Sequence, residues 1–245
     1  MANVLQGRDG KKGLAFLLDV ENGTQVAGGS SLAAGDIGFI LAKDASSIFG
    51  AAEVNTPFFA PTSLTLATDD KFFKCTPYFL GFATSKSVSY SKDTQDVTCD
   101  YDTAIGKTAS VSDGVVTTSG SISGMNMLAS GTANAINIIK SRFGSILEVT
   151  DAGVATLIAA DTTNKDVLVI IWNFKDVKAS GDIYDIEILP VLFTSLSKGA
   201  DYGSPQSFDL DFTSNATDEN GYIGGNLQVA RGASNPFSGW SVTRA

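Results

Sequence analysis

From Ser85 to Lys92 the chain alternates strictly: Ser85, Ser87, Ser89 and Ser91 take every second place, with Lys86, Val88, Tyr90 and Lys92 between them. A period of two belongs to a β-strand, whose successive side chains point to opposite faces; a helix would scatter the same serines around its circumference. The pattern returns between Val115 and Met125, where Thr117, Ser119, Ser121 and Ser123 share one face, and Asp96 to Tyr101 reads as a further strand between the two. Two hydroxyl-faced strands with few large apolar residues opposite describe a sheet wetted on one broad side, not one that merely covers a core.

Most other signals are also β. Leu14 to Leu18 reads as a strand entering an Asn22-Gly23 turn, the pair suited to a type I′ hairpin, and Ile37 to Leu41 as another strand. Pro57, Pro61 and Pro77 cannot donate to a ladder, so that stretch is expected to be short strands joined by loops. Val167 to Phe174, Ile183 to Leu192 and Phe208 to Phe212 are β-branched or aromatic strands, with Pro190 assigning the long middle one to an edge or a bulge. One helix interrupts them. Thr132 can cap it, Ile136, Ile139 and Phe143 fall on one face and are expected to pack it against the sheet, and Gly144 suits a left-handed C′ position. Gly221 to Ala245 reads as a loose C-terminal arm.

Composition removes several chemistries. The 245 residues contain no histidine, which excludes Ser-His-Asp and Cys-His catalysis and His-ligated metals. The formal charge of −9 disfavours a surface that grips phosphates. Cys75 and Cys99 are too few for a disulfide scaffold or a four-ligand metal site, and no cofactor is implied. Gly106-Lys107-Thr108 ends like a phosphate loop, but Tyr101 stands where its first glycine is required. Asp100-Tyr101-Asp102 begins like a calcium loop, but Ile105 holds the glycine place and Val111 that of the bidentate glutamate. The run Val167 to Trp172 is a fraction of the roughly 20 residues that span a bilayer, so no membrane insertion is expected. Asp182 with Asp185 and Glu187, or Asp209 with Asp211, could supply a carboxylate pair for glycoside hydrolysis. An exposed acidic face explains them more simply, and the chain is not expected to be an enzyme.

Several segments carry a resemblance: Ser85-Lys86-Ser87-Val88-Ser89-Tyr90, Asp96-Val97-Thr98-Cys99-Asp100, Gly106-Lys107-Thr108, and the Gly114 to Gly124 run GVVTTSGSISG. With the helix from Thr132 to Phe143, Glu187 to Phe193 and Pro205 to Phe212, they resemble the tail tube proteins of long-tailed bacteriophages over about Thr84 to Thr217. The resemblance implies a mainly β, sandwich or barrel-like body with one flanking helix, in one elaborated domain. Residues 84–217 would form its core, 1–83 would complete or decorate it, and 218–245 would be an arm. It also implies homohexameric rings whose joined sheets close into a β-barrel, stacked into a tube for DNA ejection. Its partners would be tape measure, terminator and baseplate proteins, with DNA passing non-specifically; its place would be the virion, after assembly in the host cytoplasm. Ser87, Ser89, Ser119 and Ser121, with Asp96, Asp100 and Asp102, are then candidates for the lumen face, because hydroxyls and carboxylates let phosphates slide past.

The competing reading is a β-sandwich that decorates a capsid or binds carbohydrate, with Tyr184, Tyr202, Tyr222 and Trp240 as stacking residues.

Overall fold

The computed structural model describes residues 14–80, 82–92, 95–96, 110–111, 116–125, 135–149, 152–160, 166–175, 182–200, 202, 206–214 and 221–230. In chain order the strands are β1 (Leu14–Ala27), β2 (Ser31–Leu32), β3 (Ile37–Ala42), β4 (Pro57–Phe59), β5 (Leu64–Thr65), β6 (Lys71–Phe79), β7 (Phe82–Lys92), β8 (Gln95–Asp96), β9 (Ser110–Val111) and β10 (Val116–Met125). Helix α1 (Ala135–Phe143) precedes β11 (Ile146–Val149), β12 (Ala155–Ile158), β13 (Asp166–Lys175), β14 (Asp182–Gly199), β15 (Ser207–Ser214) and β16 (Gly225–Ala230). Ten strands form one antiparallel sheet in the order β4-β3-β6-β1-β13-β14-β15-β10-β7, with β16 also paired to β14.

The central strands are buried on both faces, so their sequences run apolar without alternation. On β1, β13 and β14, Phe16, Leu18, Val169, Ile186 and Ile188 join Ile37, Phe39, Phe59 and Tyr222 in one core. On the other face Leu17, Leu168, Ile170, Leu189 and Val191 join Ile122, Phe208, Leu210 and Phe212 in a second. Helix α1 seats Ile136 and Ile139 in this second core. The sheet curls around it far enough for the Tyr90 hydroxyl of β7 to donate to Glu187 Oε1 of β14, 2.8 Å away.

The chain departs from its sequence pattern at several points, each with a local cause. A separate pair of sandwich sheets does not form, because β14, 18 residues long, ties both halves into one sheet. Asn22-Gly23 makes no hairpin: β1 continues through it, and pairing with β6 slips between Asp19 and Thr24. The Asp19 carboxylate fixes that bulge, accepting from the Glu21 and Asn22 amides and from Tyr78 Oη at 2.9 to 3.0 Å. A side chain that satisfies backbone donors locally competes with a tight turn. Pro190 sits inside β14 without breaking it. On one side β16 pairs only as far as Ile188 and β15 begins at Val191, so the proline falls in the gap between two neighbours. Gly144 takes no left-handed φ; its N–H donates to Lys140 O at 3.2 Å and closes the last turn of the helix. Phe143 does not pack with Ile136 and Ile139, since it is 50% exposed. The start of the supposed loose arm is ordered as β16, with Tyr222 stacked on Phe39 at 4.2 Å.

Candidate functional site

The two serine-rich strands pair with each other. Antiparallel register places Ser85 opposite Ser123, Ser87 opposite Ser121, Ser89 opposite Ser119 and Ser91 opposite Thr117. The rows continue onto β15, where Ser119 faces Thr213, Ser121 faces Asp211 and Ser123 faces Asp209. They end on β14, where Ser195 faces Asp211 and Ser197 faces Asp209. The four strands thus form a blade with one face of hydroxyls and carboxylates. Cross-strand hydrogen bonds knit it: Ser87 Oγ lies 2.9 Å from Ser121 Oγ, and Ser195 Oγ donates to Asp211 Oδ2 at 2.7 Å.

A bulge makes β14 part of this face. Below it Phe193 pairs with Phe212, above it Ser195 pairs with Asp211, and the extra residue Thr194 reverses the alternation. Phe193 and Leu196 therefore both point to the core, while Ser195 and Ser197 turn to the polar side. Cations lie on the reverse. Lys86, Lys92 and Lys198 occupy the alternate positions, and no Lys or Arg stands on the polar face among the described residues. Burial, and then the neighbouring Lys140 of α1, bring the Lys198 amine down to about 8.

Both edges of the blade lack a strand partner among the described residues. Beyond β7 the sheet ends. On β14, β13 stops at Val191 and lies on the side opposite β15, so Leu192 to Gly199 presents its other edge unpaired. An unpaired strand edge is a row of N–H and C=O groups ready to take another strand.

Of the sequence-derived site residues, Ser87, Ser89, Ser119 and Ser121 come together at the centre of the polar face. Asp100 and Asp102 lie outside the described residues, and of Asp96 only the backbone pairing with Ser110 is described. Asp209 and Asp211, weighed in the sequence only as a carboxylate pair, belong to the same face. The signal was there, since Ser207, Asp209, Asp211 and Thr213 alternate with Phe208, Leu210 and Phe212, as in the serine strands. Asp185 and Glu187 are not the exposed acids expected: each is 8% exposed, inside the curled sheet. There burial, and then Glu187, push the Tyr90 phenol above its usual range, and Lys86 Nζ lies 5.4 Å from the centre of the Trp172 ring. Tyr222, expected as a stacking surface, is core.

No family model and no curated protein matches the sequence. Among solved structures, a chain of the virion of a native gene transfer agent particle is similar at 15% identity and TM-score 0.36, covering 63% of this chain and 89% of that one. A chain from the tail of an empty gene transfer agent particle, refined with C6 symmetry, is similar at 15% identity and TM-score 0.34, covering 57% and 81%. Likenesses this distant carry no functional weight beside the geometry of the blade.

Proposed function

We propose that this chain is the tail tube subunit of a phage or phage-derived particle, a non-enzymatic virion protein assembled in the host cytoplasm. Six copies join blade to blade, the β7 edge of one pairing with the Leu192 to Gly199 edge of the next, and the rings stack into a conduit for DNA. One observation carries this reading: among the described residues, a four-stranded blade combines two unpaired edges with a single face free of cations. Edge pairing satisfies the backbone groups that an isolated subunit leaves to water, and ring closure removes the edges altogether.

The dimensions suit the role. Six blades of four strands make about 24 strands (6 × 4), which at ~4.8 Å spacing and ~40° tilt close at a backbone diameter of roughly 48 Å. A duplex clears such a bore. Asp209 and Asp211 would set about 12 carboxylates (6 × 2) around each ring among the hydroxyls. Phosphates meet no partner there whose neutralisation would release counterions, so DNA slides without binding. In this reading the lumen face holds Ser87, Ser89, Ser119 and Ser121, with Asp96, Asp100 and Asp102 extending it; tape measure, terminator and baseplate proteins are the further partners.

The test is disulfide trapping. Within one chain Ser87 and Ser195 lie three strand steps apart, about 14 Å. A disulfide needs Cα atoms within about 7 Å, so none forms inside a subunit. Cysteine at 87, 89 or 91 combined with Ser195→Cys should yield, at one of the three registers, a ladder of linked copies up to a hexamer, with rings visible by negative-stain microscopy. Monomers that stay unlinked and ringless at high concentration refute the proposal.

A further inference from the structure

The ribbon β11–β12 carries an aliphatic face that none of the described residues covers. Leu147 pairs with Leu157 and Val149 with Ala155, so these side chains share one side of the ribbon. Leu147, Val149, Val154 and Leu157 are 62, 60, 59 and 65% exposed, and Phe143, three residues before the ribbon, is 50% exposed. The three large side chains that share the face, Leu147, Val149 and Leu157, amount to about 300 Å² open to water. A two-stranded ribbon of four-residue strands is marginal on its own, and an uncovered apolar face does nothing to hold it.

The ribbon leaves the body beside an edge already described. Arg142, in the last turn of α1, donates through Nε and Nη2 to both Asp166 oxygens at 2.8 Å. Asp166 is paired with Val191, the residue before the open stretch of β14. Ile136 and Ile139 of the same helix share a core with Phe193 and Leu196, which belong to that stretch. The helix therefore packs on the reverse of that stretch, whose edge has no strand partner among the described residues, and the ribbon follows the helix after two residues.

We infer that the apolar face of β11–β12 seats on a second copy of this chain, the copy whose β7 joins the Leu192 to Gly199 edge. The inference rests on the tail tube reading and adds to it a contact behind the wall, made by side chains where the wall itself is joined by backbone. With a matching area on the neighbour it buries about 600 Å², too little for a contact that stands alone and suited to be an addition to a paired edge.

The double variant Leu147→Lys/Leu157→Glu tests this, because opposite charges at a directly paired position hold the ribbon together while removing its apolar face. The free subunit should melt as the wild type does, and the concentration at which rings appear should rise at least tenfold. Rings forming at the wild-type concentration overturn the inference and leave the tail tube reading standing; a wild-type protein that never forms rings overturns that reading instead. Should the double variant fail to fold, a Leu157→Cys variant on a Cys99→Ser background decides. Its thiol should react with maleimide quickly in free subunits and at least tenfold more slowly in rings. Equal rates in both states show that another partner, or none, covers the ribbon, and slow labelling of the free subunit shows that the chain covers it unaided; either result overturns the inference.

Discussion

Replacing Gly120 with alanine should weaken the fold. Gly120 lies at the centre of the blade, between Val88 of β7 and Phe212 of β15. A Cβ there would press on the Ser87 carbonyl oxygen and lie 2.5 Å from Phe212 Cζ. The ring can turn away at about 0.5–1.5 kcal/mol, but the carbonyl moves only if β7 moves with it. Overpacking of this kind costs about 1–3 kcal/mol, against about 0.4–1 kcal/mol recovered from the lower entropy of an unfolded alanine. The clash wins, by about 0.5–4 kcal/mol once both contacts count. At about 2–4 °C per kcal/mol for a chain of this size, the melting temperature should fall by about 1–16 °C. Thermal unfolding followed by circular dichroism, at concentrations too low for rings, measures it. Gly144→Ala is the control: nothing lies within 4 Å of its added Cβ, so it should melt at or slightly above the wild type. A Gly120→Ala protein as stable as the wild type would refute the described packing of β7, β10 and β15.

Ile139→Asp should abolish the cooperative melting transition, because it buries an unpaired carboxylate at a fully buried position of the second core; a normal transition would show that this helix face does not pack inward. Alkaline stability should depend on Tyr90 and Tyr78, both held above the ordinary phenol value by burial first and then by Glu187 and Asp19. A raised native value means that the folded protein keeps a proton the unfolded chain releases, so the stabilisation is complete below about pH 10 and drains away as pH climbs further. Urea melts from pH 9 upward should show a shallower loss for Tyr90→Phe, with Tyr78 supplying the remainder; identical slopes would remove Tyr90 from the account. Asp211→Lys changes the proposed lumen by about 12 charges per ring (6 × 2), and its rings should retain DNA at low salt and release it as salt rises. Retention no greater than in the wild type would mean that this face does not line a bore.

The polar face was legible because alternation is local. Ser85 to Ser91 and Thr117 to Ser123 each declare a strand and its wet side with no knowledge of their neighbours, and the helix around Ile136 and Ile139 declares its buried stripe in the same way. Phe143 misled because a stripe at helical spacing records only which residues share a side, not where the body beneath them ends. Asn22-Gly23 misled because turn chemistry is a preference, and the Asp19 carboxylate supplied a stronger local alternative. Asp185 and Glu187 misled because an acid in a strand reads as exposed until the curl of the sheet brings Tyr90 across to cover it.

Residue order alone therefore determined the strand character, the hydroxyl faces, the absence of cations among them and the exclusion of histidine chemistry, since each follows from the identity and spacing of near neighbours. Only the tertiary structure decided that the hydroxyl strands lie side by side, that the bulge at Thr194 turns β14 into the fourth strand of their blade, and that no described strand pairs with either blade edge. Pairing between strands is a contact between distant segments, and which edge stays unpaired depends on where every other strand has gone.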